Sequence, residues 1–166
     1  MTILYHGTNQ VFERPNVDVG RDGMDFGKGF YLTPNIKSAR KMAERVSRFA
    51  GGEPIVLQFA FDEDAARRER LVRDFPALDR TWVSFIIANR LGDASAAEHN
   101  MDRRYAIVHG PIADDRLMQI LDDYENGDLS LEEVEHRLAA APFRSFQYSF
   151  HTEEALSCLS FKGVVR

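Results

Sequence analysis

Three segments of this chain alternate side chains with the two-residue period of a β-strand. In Ile55–Phe61 the residues at every second position are apolar and share one face, and in Phe146–Phe150 the aromatic residues do the same. The opening segment Thr2–Thr8 predicts a third strand, with Leu4 and His6 on one face. Because these strands lie far apart in the sequence with helical patterns between them, we expect a mixed α+β fold.

Helical spacing of apolar residues predicts four longer helices between the strands. Thr33 offers a hydroxyl N-cap and Pro34 suits the first helical position, so we expect a helix that runs to about Phe49. The segment Ser130-Leu131-Glu132-Glu133 is a capping box that opens another helix. The four predicted helices are 33–49, Arg80–Leu91, Asp114–Tyr124 and Ser130–Ala140.

Shorter patterns complete the predicted architecture. They are strands at Gly29–Thr33 and Tyr105–His109, a short helix from Thr152 to about Leu159, and a closing edge strand at Phe161–Val165. With 166 residues, 44% of them apolar, the chain is long enough to bury a sizeable core. No internal repeat or linker interrupts it, so residues 1–166 are predicted to form one α+β domain with several helices between the strands.

Composition argues against membrane, disulfide and metal functions. The longest apolar stretches, such as Phe85–Ala88, are far shorter than the roughly 18 residues of a membrane span. No signal peptide pattern opens the chain, so we expect a cytoplasmic protein with no membrane partner. The single cysteine, Cys158, cannot form an internal disulfide and is expected in the core. No Cys/His cluster has the spacing of a zinc site, so no metal is expected.

Charge gives a weaker constraint on partners. The formal net charge of −5 is spread along the chain, and residues 62–70 form a mixed acidic and basic run rather than a basic block. Strong nonspecific affinity for nucleic acid is therefore not expected, although a specific RNA or DNA target stays open.

Several familiar catalytic motifs are excluded by residue identity. A phosphate-binding P-loop around Gly27-Lys28-Gly29 would need a glycine where Asp22 stands and a serine or threonine where Gly29 stands. The chain also lacks a Gly-x-Gly-x-x-Gly turn between a strand and a helix, so a bound NAD⁺ would not occupy a Rossmann site. Neither a Gly-x-Ser-x-Gly elbow nor a His-Glu-x-x-His helix is present.

Two segments near the N-terminus carry a more informative pattern: Leu4-Tyr5-His6-Gly7-Thr8 and Asp25-Phe26-Gly27-Lys28-Gly29-Phe30-Tyr31-Leu32-Thr33, followed by Lys37-Ser38-Ala39. Together they resemble the poly(ADP-ribose) polymerase and diphtheria-toxin-like branch of the ADP-ribosyltransferase superfamily. They are also similar to small bacterial members of that clan, some of which occur in toxin-antitoxin or phage-defence settings. The resemblance implies an ADP-ribosyltransferase-like split β-sheet core with several inserted helices, and NAD⁺ as substrate.

The same resemblance implies a role for each motif residue. His6 would hydrogen-bond the ribose of the nicotinamide half, and the Gly7 backbone would bind the nicotinamide amide. Tyr31 would stack on the nicotinamide ring, and the Ser38 hydroxyl would bind the same amide, although Ser38 lies one residue closer to Tyr31 than in the polymerases. The implied NAD⁺-contacting residues are His6, Gly7, Thr8, Gly29, Tyr31 and Ser38.

Elementary chemistry agrees with these roles. Glycine at position 7 lets the backbone approach a flat amide closely, because no Cβ intervenes. The pyridinium of NAD⁺ is positively charged, and an aromatic face such as that of Tyr31 attracts a cation by roughly 0.5–2 kcal/mol. Cleavage of the nicotinamide–ribose bond develops an oxocarbenium-like centre, as in glycoside hydrolysis. The site must therefore hold the sugar and shield that centre.

The third catalytic position of the family is usually a glutamate on a later strand, and this chain offers Gln147 there. The resemblance thus implies the catalytic set His6, Tyr31 and Gln147, with Glu153 and Glu154 as rivals for the third place. Glutamine has no negative charge and cannot act as a general base, so we expect transfer of single ADP-ribose units at most. A second departure is the lack of an aromatic residue near positions 41–42.

Sequence alone leaves several functions open. The first is an intracellular mono-ADP-ribosyltransferase acting on a macromolecular acceptor, protein or nucleic acid, and held in check by an antitoxin protein. The alternatives are an NAD⁺ glycohydrolase, a non-catalytic NAD⁺-binding module and an unrelated α+β interaction domain. His109, His136 and His151 lie in no motif, so we expect surface or packing roles for them.

Overall fold

The computed structural model describes residues 1–113, 115–141 and 145–165. These residues form an α+β structure with two β-sheets and six α-helices. The strands are β1 (Thr2–Thr8), β2 (Phe30–Leu32), β3 (Ile55–Phe61), β4 (Val72–Asp74), β5 (Ile107–Pro111), β6 (Phe146–Phe150) and β7 (Leu159–Val165). The helices are α1 (Ile36–Ala50), α2 (Glu63–Arg68), α3 (Arg80–Leu91), α4 (Asp115–Glu125), α5 (Leu131–Ala139) and α6 (Glu153–Leu156).

The seven strands divide between two sheets. Three strands form an antiparallel sheet in the order β1-β3-β7, and four form a second sheet in the order β2-β6-β5-β4. Within the second sheet only the β4–β5 pair is parallel. The two sheets meet where β1 and the end of β2 exchange backbone hydrogen bonds between Tyr5 and Thr33, with N···O distances of 2.8 and 3.0 Å.

Apolar side chains fill the space between the sheets and cover the outer face of each. One cluster, which includes Leu4, Phe59 and Phe150, lies between the sheets. A second cluster covers the far face of the four-stranded sheet with side chains of α3, α4 and α5. On the outer face of the three-stranded sheet, α1 packs through Ala39 and Ala43. This layering follows from the alternation that predicted the strands.

Most of the predicted elements are confirmed. The strands at Thr2–Thr8 and Ile55–Phe61 have the expected bounds, and the helix at Arg80–Leu91 does too. The capping box at Ser130 is formed, with the Ser130 and Glu133 side chains each accepting a backbone N–H of the other residue. The predicted strand at 105–109 is shifted to β5, and β7 is an edge strand as expected. The start predicted for α4, Asp114, lies outside the described residues.

The predicted start of α1 is wrong by two residues. Asn35, not Thr33, caps the helix, and its side chain accepts hydrogen bonds from the backbone N–H groups of Lys37 and Ser38. The Thr33 hydroxyl instead donates to the Phe146 carbonyl at 2.9 Å. The Thr33 hydroxyl is therefore bonded to β6, the neighbour of β2 in the four-stranded sheet. The two residues lie 113 positions apart in the sequence, so no local pattern reveals this contact.

Other expectations also need correction. The helix after Thr152 ends at Leu156, because the chain enters β7 at Leu159. The charged segment after β3, for which no element is predicted, forms α2 and the short strand β4. Cys158 is partly exposed at the edge of the core rather than inside it.

Gly7 allows the closest approach between a strand and a helix near the sheet junction. A Cβ at this position would overlap the backbone carbonyl oxygen of Ala39 and lie 2.7 Å from the backbone nitrogen of Ala43. Because both are helix backbone atoms, no side-chain rotation relieves the overlap. Gly7 thus fixes the distance from α1 to β1.

Replacing Gly7 with alanine is expected to destabilise the fold by about 1–3 kcal/mol or more, since α1 must move away from β1. Urea unfolding measures the loss. The matched control is Gly92→Ala, at a left-handed C-cap position with open space around it, where only backbone strain of about 1 kcal/mol is expected. Equal losses in both variants would contradict the close-approach account.

Candidate active site

A cleft of about 680 Å³ opens at the junction of the two sheets. Its walls come from the end of β1, from β2, from the first turns of α1 and from the loop of residues 9–29. The predicted site residues His6, Gly7, Thr8, Gly29, Tyr31, Ser38 and Gln147 all line it. Residues drawn from distant parts of the sequence therefore converge in one cavity that is large enough for part of a dinucleotide.

His6 joins the two sheets through its imidazole. Its Nδ1 lies 2.8 Å from the backbone carbonyl oxygen of Tyr31, and since a carbonyl only accepts, Nδ1 carries the proton. Burial lowers the pKa of His6, so the ring is neutral near pH 7 and Nε2 is an acceptor. Within the described residues Nε2 has no hydrogen-bond partner. Nε2 can accept a hydrogen bond from a hydroxyl bound in the cleft.

Tyr31 offers the cleft its ring and not its hydroxyl. The hydroxyl donates to the Gly27 carbonyl at 2.6 Å and accepts from the Phe26 backbone N–H at 3.0 Å. Burial, together with the nearby Asp25 charge, raises the pKa of Tyr31 well above its ordinary value. Phe26 stacks near one side of the ring, with centroids 6.3 Å apart. The hydroxyl therefore pins the turn before β2, and the partly exposed ring serves as a flat surface.

Gly29 and His151 also stabilise the turn before β2. A Cβ on Gly29 would lie 2.6 Å from both His151 Nδ1 and the Phe150 carbonyl oxygen. His151 is fully buried; its Nδ1 donates to the Lys28 carbonyl at 2.9 Å, and its Nε2 accepts from the Ser149 hydroxyl at 2.7 Å. Burial lowers the pKa of His151 to about 4. The expected packing role of His151 is confirmed, and Gly29 is required for it.

Gln147 reaches the cleft from β6, where it pairs with Gly110. Beside it lies the carboxylate of Asp25. Burial raises the pKa of Asp25, whereas the Arg90 charge and the Gln147 side chain act in the opposite direction. Asp25 thus places an acidic group next to the neutral Gln147. The position of Asp25 directly before Phe26-Gly27 is the only sequence signal that could have drawn attention to Asp25.

The rival third residues lie elsewhere. Glu153 and Glu154 are exposed in the first turn of α6, whose N-terminus Thr152 caps, and neither lines the cleft. Their position at a helix N-terminus accounts for them. Gln147 is thus the member of the three that the fold brings to His6 and Tyr31.

Helix α1 contributes one wall of the cleft. Ser38, in its first turn, lines the cavity, and so does Met42 one turn later, with 47% of its surface exposed. A flexible thioether therefore forms part of the cleft wall. A flat ring bound in the cleft would have an aromatic side chain on one side and a methionine within reach.

Two arginines of the cleft were not predicted. Arg14 and Arg21 line it from the loop of residues 9–29 and are exposed. Among the described residues, neither guanidinium forms an ion pair. Isolated arginines in a glycine-rich loop carry no motif, so no local pattern selects them. In the folded chain they place two positive charges at the cleft.

The other histidines lie outside the cleft. His109 on β5 bonds Asp74 at 2.7 Å and stacks on Tyr148, with ring centroids 4.2 Å apart. His136 is exposed on α5. In the part of the chain that the structure describes, no group of three or more His, Cys, Asp or Glu side chains is placed to hold a metal ion. No helix in that part is long and apolar enough to cross a membrane.

Comparison with known proteins identifies the family of this chain. It belongs to the family described as "Protein of unknown function (DUF3990)", whose model matches residues 2–161. The matched region begins with β1 and extends into β7, so it contains every residue that lines the cleft. No curated protein matches the chain, and no solved structure does.

The free energy of unfolding should fall as the pH is lowered, because His151 is buried in its neutral form. Its pKa is about 4 in the folded chain against 6.5 for an ordinary histidine, so unfolding takes up a proton between these values. The contribution is fully present above pH 6.5 and is lost as pH falls towards 4. We expect a loss of about 2 kcal/mol from this residue between pH 7.5 and 5. Urea unfolding at both pH values measures it.

Two variants test whether His151 causes this pH dependence of stability. His151→Gln, which can still donate to the Lys28 carbonyl, should show a pH-dependent loss smaller than wild type by about that amount. His136→Gln, at an exposed position, should match wild type. An unchanged pH dependence in His151→Gln would contradict the assignment.

Proposed function

We propose that the cleft binds NAD⁺ and that the protein is a mono-ADP-ribosyltransferase that transfers ADP-ribose to a macromolecular acceptor. The observation that carries the proposal is the convergence of His6 and Tyr31 in one cleft. The Nε2 of His6 has no hydrogen-bond partner among the described residues, and the partly exposed Tyr31 lines the same cavity. Two sheets that separate from a junction at Tyr5 and Thr33 are compatible with the split-sheet core of an ADP-ribosyltransferase.

In this proposal the nicotinamide ring lies against Tyr31. The ring is cationic in NAD⁺, and the aromatic face attracts it. The amide reaches the backbone at Gly7 and the hydroxyl of Ser38, both of which line the same cavity. His6 Nε2 accepts a hydrogen bond from a hydroxyl of the adjoining ribose, the role for which its tautomer is suited. Thr8 and Gly29 complete the walls around this half of the molecule.

The reaction breaks the bond between the ribose anomeric carbon and the nicotinamide nitrogen. The bonding electrons go to the nicotinamide ring, which leaves neutral, and an acceptor nucleophile forms the new bond to the anomeric carbon and loses its proton. Positive charge develops on the sugar as the bond breaks. Gln147 can bind a ribose hydroxyl, while the Asp25 carboxylate beside it supplies negative charge nearby when ionised.

Arg14 and Arg21 suit the pyrophosphate of NAD⁺. Guanidinium groups bind phosphate oxygens in a bidentate manner, and neither group has a competing carboxylate among the described residues.

A binding module without turnover is the second candidate, and the observation that favours it is the neutral Gln147 in the third position.

Nicotinamide release from NAD⁺ tests the proposal. His6→Ala should reduce the rate by roughly tenfold to a hundredfold, because a lost hydrogen bond to the substrate costs about 1–3 kcal/mol. Wild-type protein that binds NAD⁺ without releasing nicotinamide would establish the binding module instead. Wild-type protein that shows no thermal stabilisation by NAD⁺ would contradict both candidates.

Two variants of Tyr31 separate the roles of its ring and its hydroxyl. Tyr31→Phe keeps the ring but loses the bonds to Phe26 and Gly27, so it should retain NAD⁺ affinity while losing about 1–3 kcal/mol of unfolding free energy. Tyr31→Ala should lose both. Calorimetric titration and urea unfolding measure the two effects. Tyr105→Phe, whose hydroxyl contacts Glu98 outside the cleft, is the control. Affinity lost equally in both Tyr31 variants would contradict ring stacking.

The double variant Arg14→Gln/Arg21→Gln tests the pyrophosphate site. We expect the KM for NAD⁺ to rise at least about tenfold, because each charge-assisted hydrogen bond to phosphate contributes roughly 1.5–3 kcal/mol. The inhibition constant of free nicotinamide, which lacks phosphates, should stay unchanged. Arg137→Gln on α5 serves as a charge control. A parallel loss of nicotinamide inhibition would show that the arginines act through the fold.

A further inference from the structure

We propose that the exposed basic face of helix α1 is a docking surface for single-stranded nucleic acid, and that this strand is the acceptor of ADP-ribose. The docking surface stands on the charge and geometry of α1. The acceptor role rests in addition on the function proposed for the cleft.

Helix α1 has a charge opposite to that of the chain. The chain carries a formal net charge of −5, whereas α1 holds five basic residues and a single acidic residue, Glu44. The basic residues of the helix are Lys37, Arg40, Lys41, Arg45 and Arg48. The whole-chain charge hides this local excess because acidic residues elsewhere outweigh it.

Four of these residues form a stripe along the helix. Their spacing of four, four and three residues keeps them on one side of an α-helix, over a length of about 16 Å. All four side chains are exposed. The members of this basic stripe are Lys37, Lys41, Arg45 and Arg48.

The basic stripe runs beside the cleft. Ser38 and Met42 each follow a stripe residue directly, and both line the cavity. Because consecutive residues lie about 100° apart on a helix, the stripe and the cleft wall are neighbouring faces of α1. Arg14 and Arg21 line the cleft as well, from the loop of residues 9–29. A nucleic-acid strand that lies along the basic stripe therefore passes the opening of the cleft.

The cations of the stripe differ from those of the other helices. Across the described residues, ion pairs involve Arg67 on α2, Arg80 and Arg90 on α3, and Arg103 and Arg104 in the following loop. None involves a member of the basic stripe. Like charges four residues apart destabilise a helix, so a polyanion bound along the stripe would relieve repulsion.

A nucleic-acid strand fits this surface better than an acidic peptide does. Its backbone carries one negative charge per nucleotide at regular intervals, which matches a regularly spaced row of basic side chains. Binding also releases the counterions condensed on the nucleic acid. Apolar groups at the cleft, the exposed Val19 and Met42 and the partly buried Phe12, offer surfaces on which bases can pack. A single strand is required because a base paired inside a duplex cannot reach an anomeric carbon in a recessed site.

The transfer step balances without a further reagent. A nucleophilic nitrogen or oxygen of the strand bonds to the anomeric carbon of the nicotinamide ribose, and the bond from that carbon to nicotinamide breaks. Nicotinamide leaves with the bonding electron pair as a neutral molecule. The proton of the nucleophile passes to water, so one ADP-ribosylated strand, one nicotinamide and one proton are formed.

Fluorescence anisotropy with a labelled single-stranded oligonucleotide of about 20 nucleotides tests the docking surface without NAD⁺. DNA and RNA probes of one sequence are used, together with the matching duplex and a polyglutamate competitor. Lys41→Glu/Arg45→Glu should weaken single-strand binding at least about tenfold and lower the slope of log affinity against log salt by roughly 1.4. The control Arg68→Glu/Arg137→Glu makes the same change in net charge on α2 and α5 and should stay within about twofold of wild type.

Three results would overturn the docking surface. They are equal weakening in both double variants, duplex binding at least as tight as single-strand binding, and displacement of the strand by polyglutamate at equal charge, which would indicate an acidic protein partner. A second arm adds labelled NAD⁺ and asks whether label appears on the strand. Nicotinamide release without labelled strand would overturn the acceptor assignment and leave the proposed function standing. Strand binding without nicotinamide release would leave the docking surface standing and remove the enzymatic function.

Discussion

The cleft exists because two sheets are tied together at one point. Tyr5 and Thr33 exchange backbone hydrogen bonds, and one residue further along β1 the imidazole of His6 donates to the carbonyl of Tyr31. The cleft opens at this junction, and its walls come from β1, β2, α1 and the loop of residues 9–29. The contact that joins the sheets also fixes the tautomer of His6, so its second nitrogen is an acceptor. Fold and site therefore share the same hydrogen bonds.

Close approaches around the junction explain why small and buried residues surround the site. Gly7 lets α1 lie against β1, and Gly29 leaves room for the buried His151 ring, which holds the Lys28 carbonyl. The Tyr31 hydroxyl bonds the same turn from the cleft side. Motif glycines that a ligand could have explained are thus already required by packing. In the proposed function, the Gly7 backbone, which carries no side chain because α1 packs against it, is also the backbone that binds nicotinamide.

Local patterns predicted much of the fold because alternation and capping are local properties. β1, β3, α3 and the α5 capping box were predictable for this reason. Long-range contacts decided the rest. Thr33 bonds Phe146 across the sheet and leaves the cap of α1 to Asn35, and β4 is a three-residue strand that exists only by pairing with β5. In the site, motif residues converged as expected, whereas Asp25, Arg14 and Arg21 became visible only through their neighbours in space.

The central claim is that nicotinamide lies against Tyr31 beside His6. It is tested most directly by NMR on a complex with a carba-analogue of NAD⁺, whose nicotinamide cannot leave. The account predicts intermolecular NOEs from the nicotinamide ring protons to the Tyr31 ring and to the Gly7 backbone. NOEs to residues outside the cleft, or saturable binding with none to Tyr31, would contradict it.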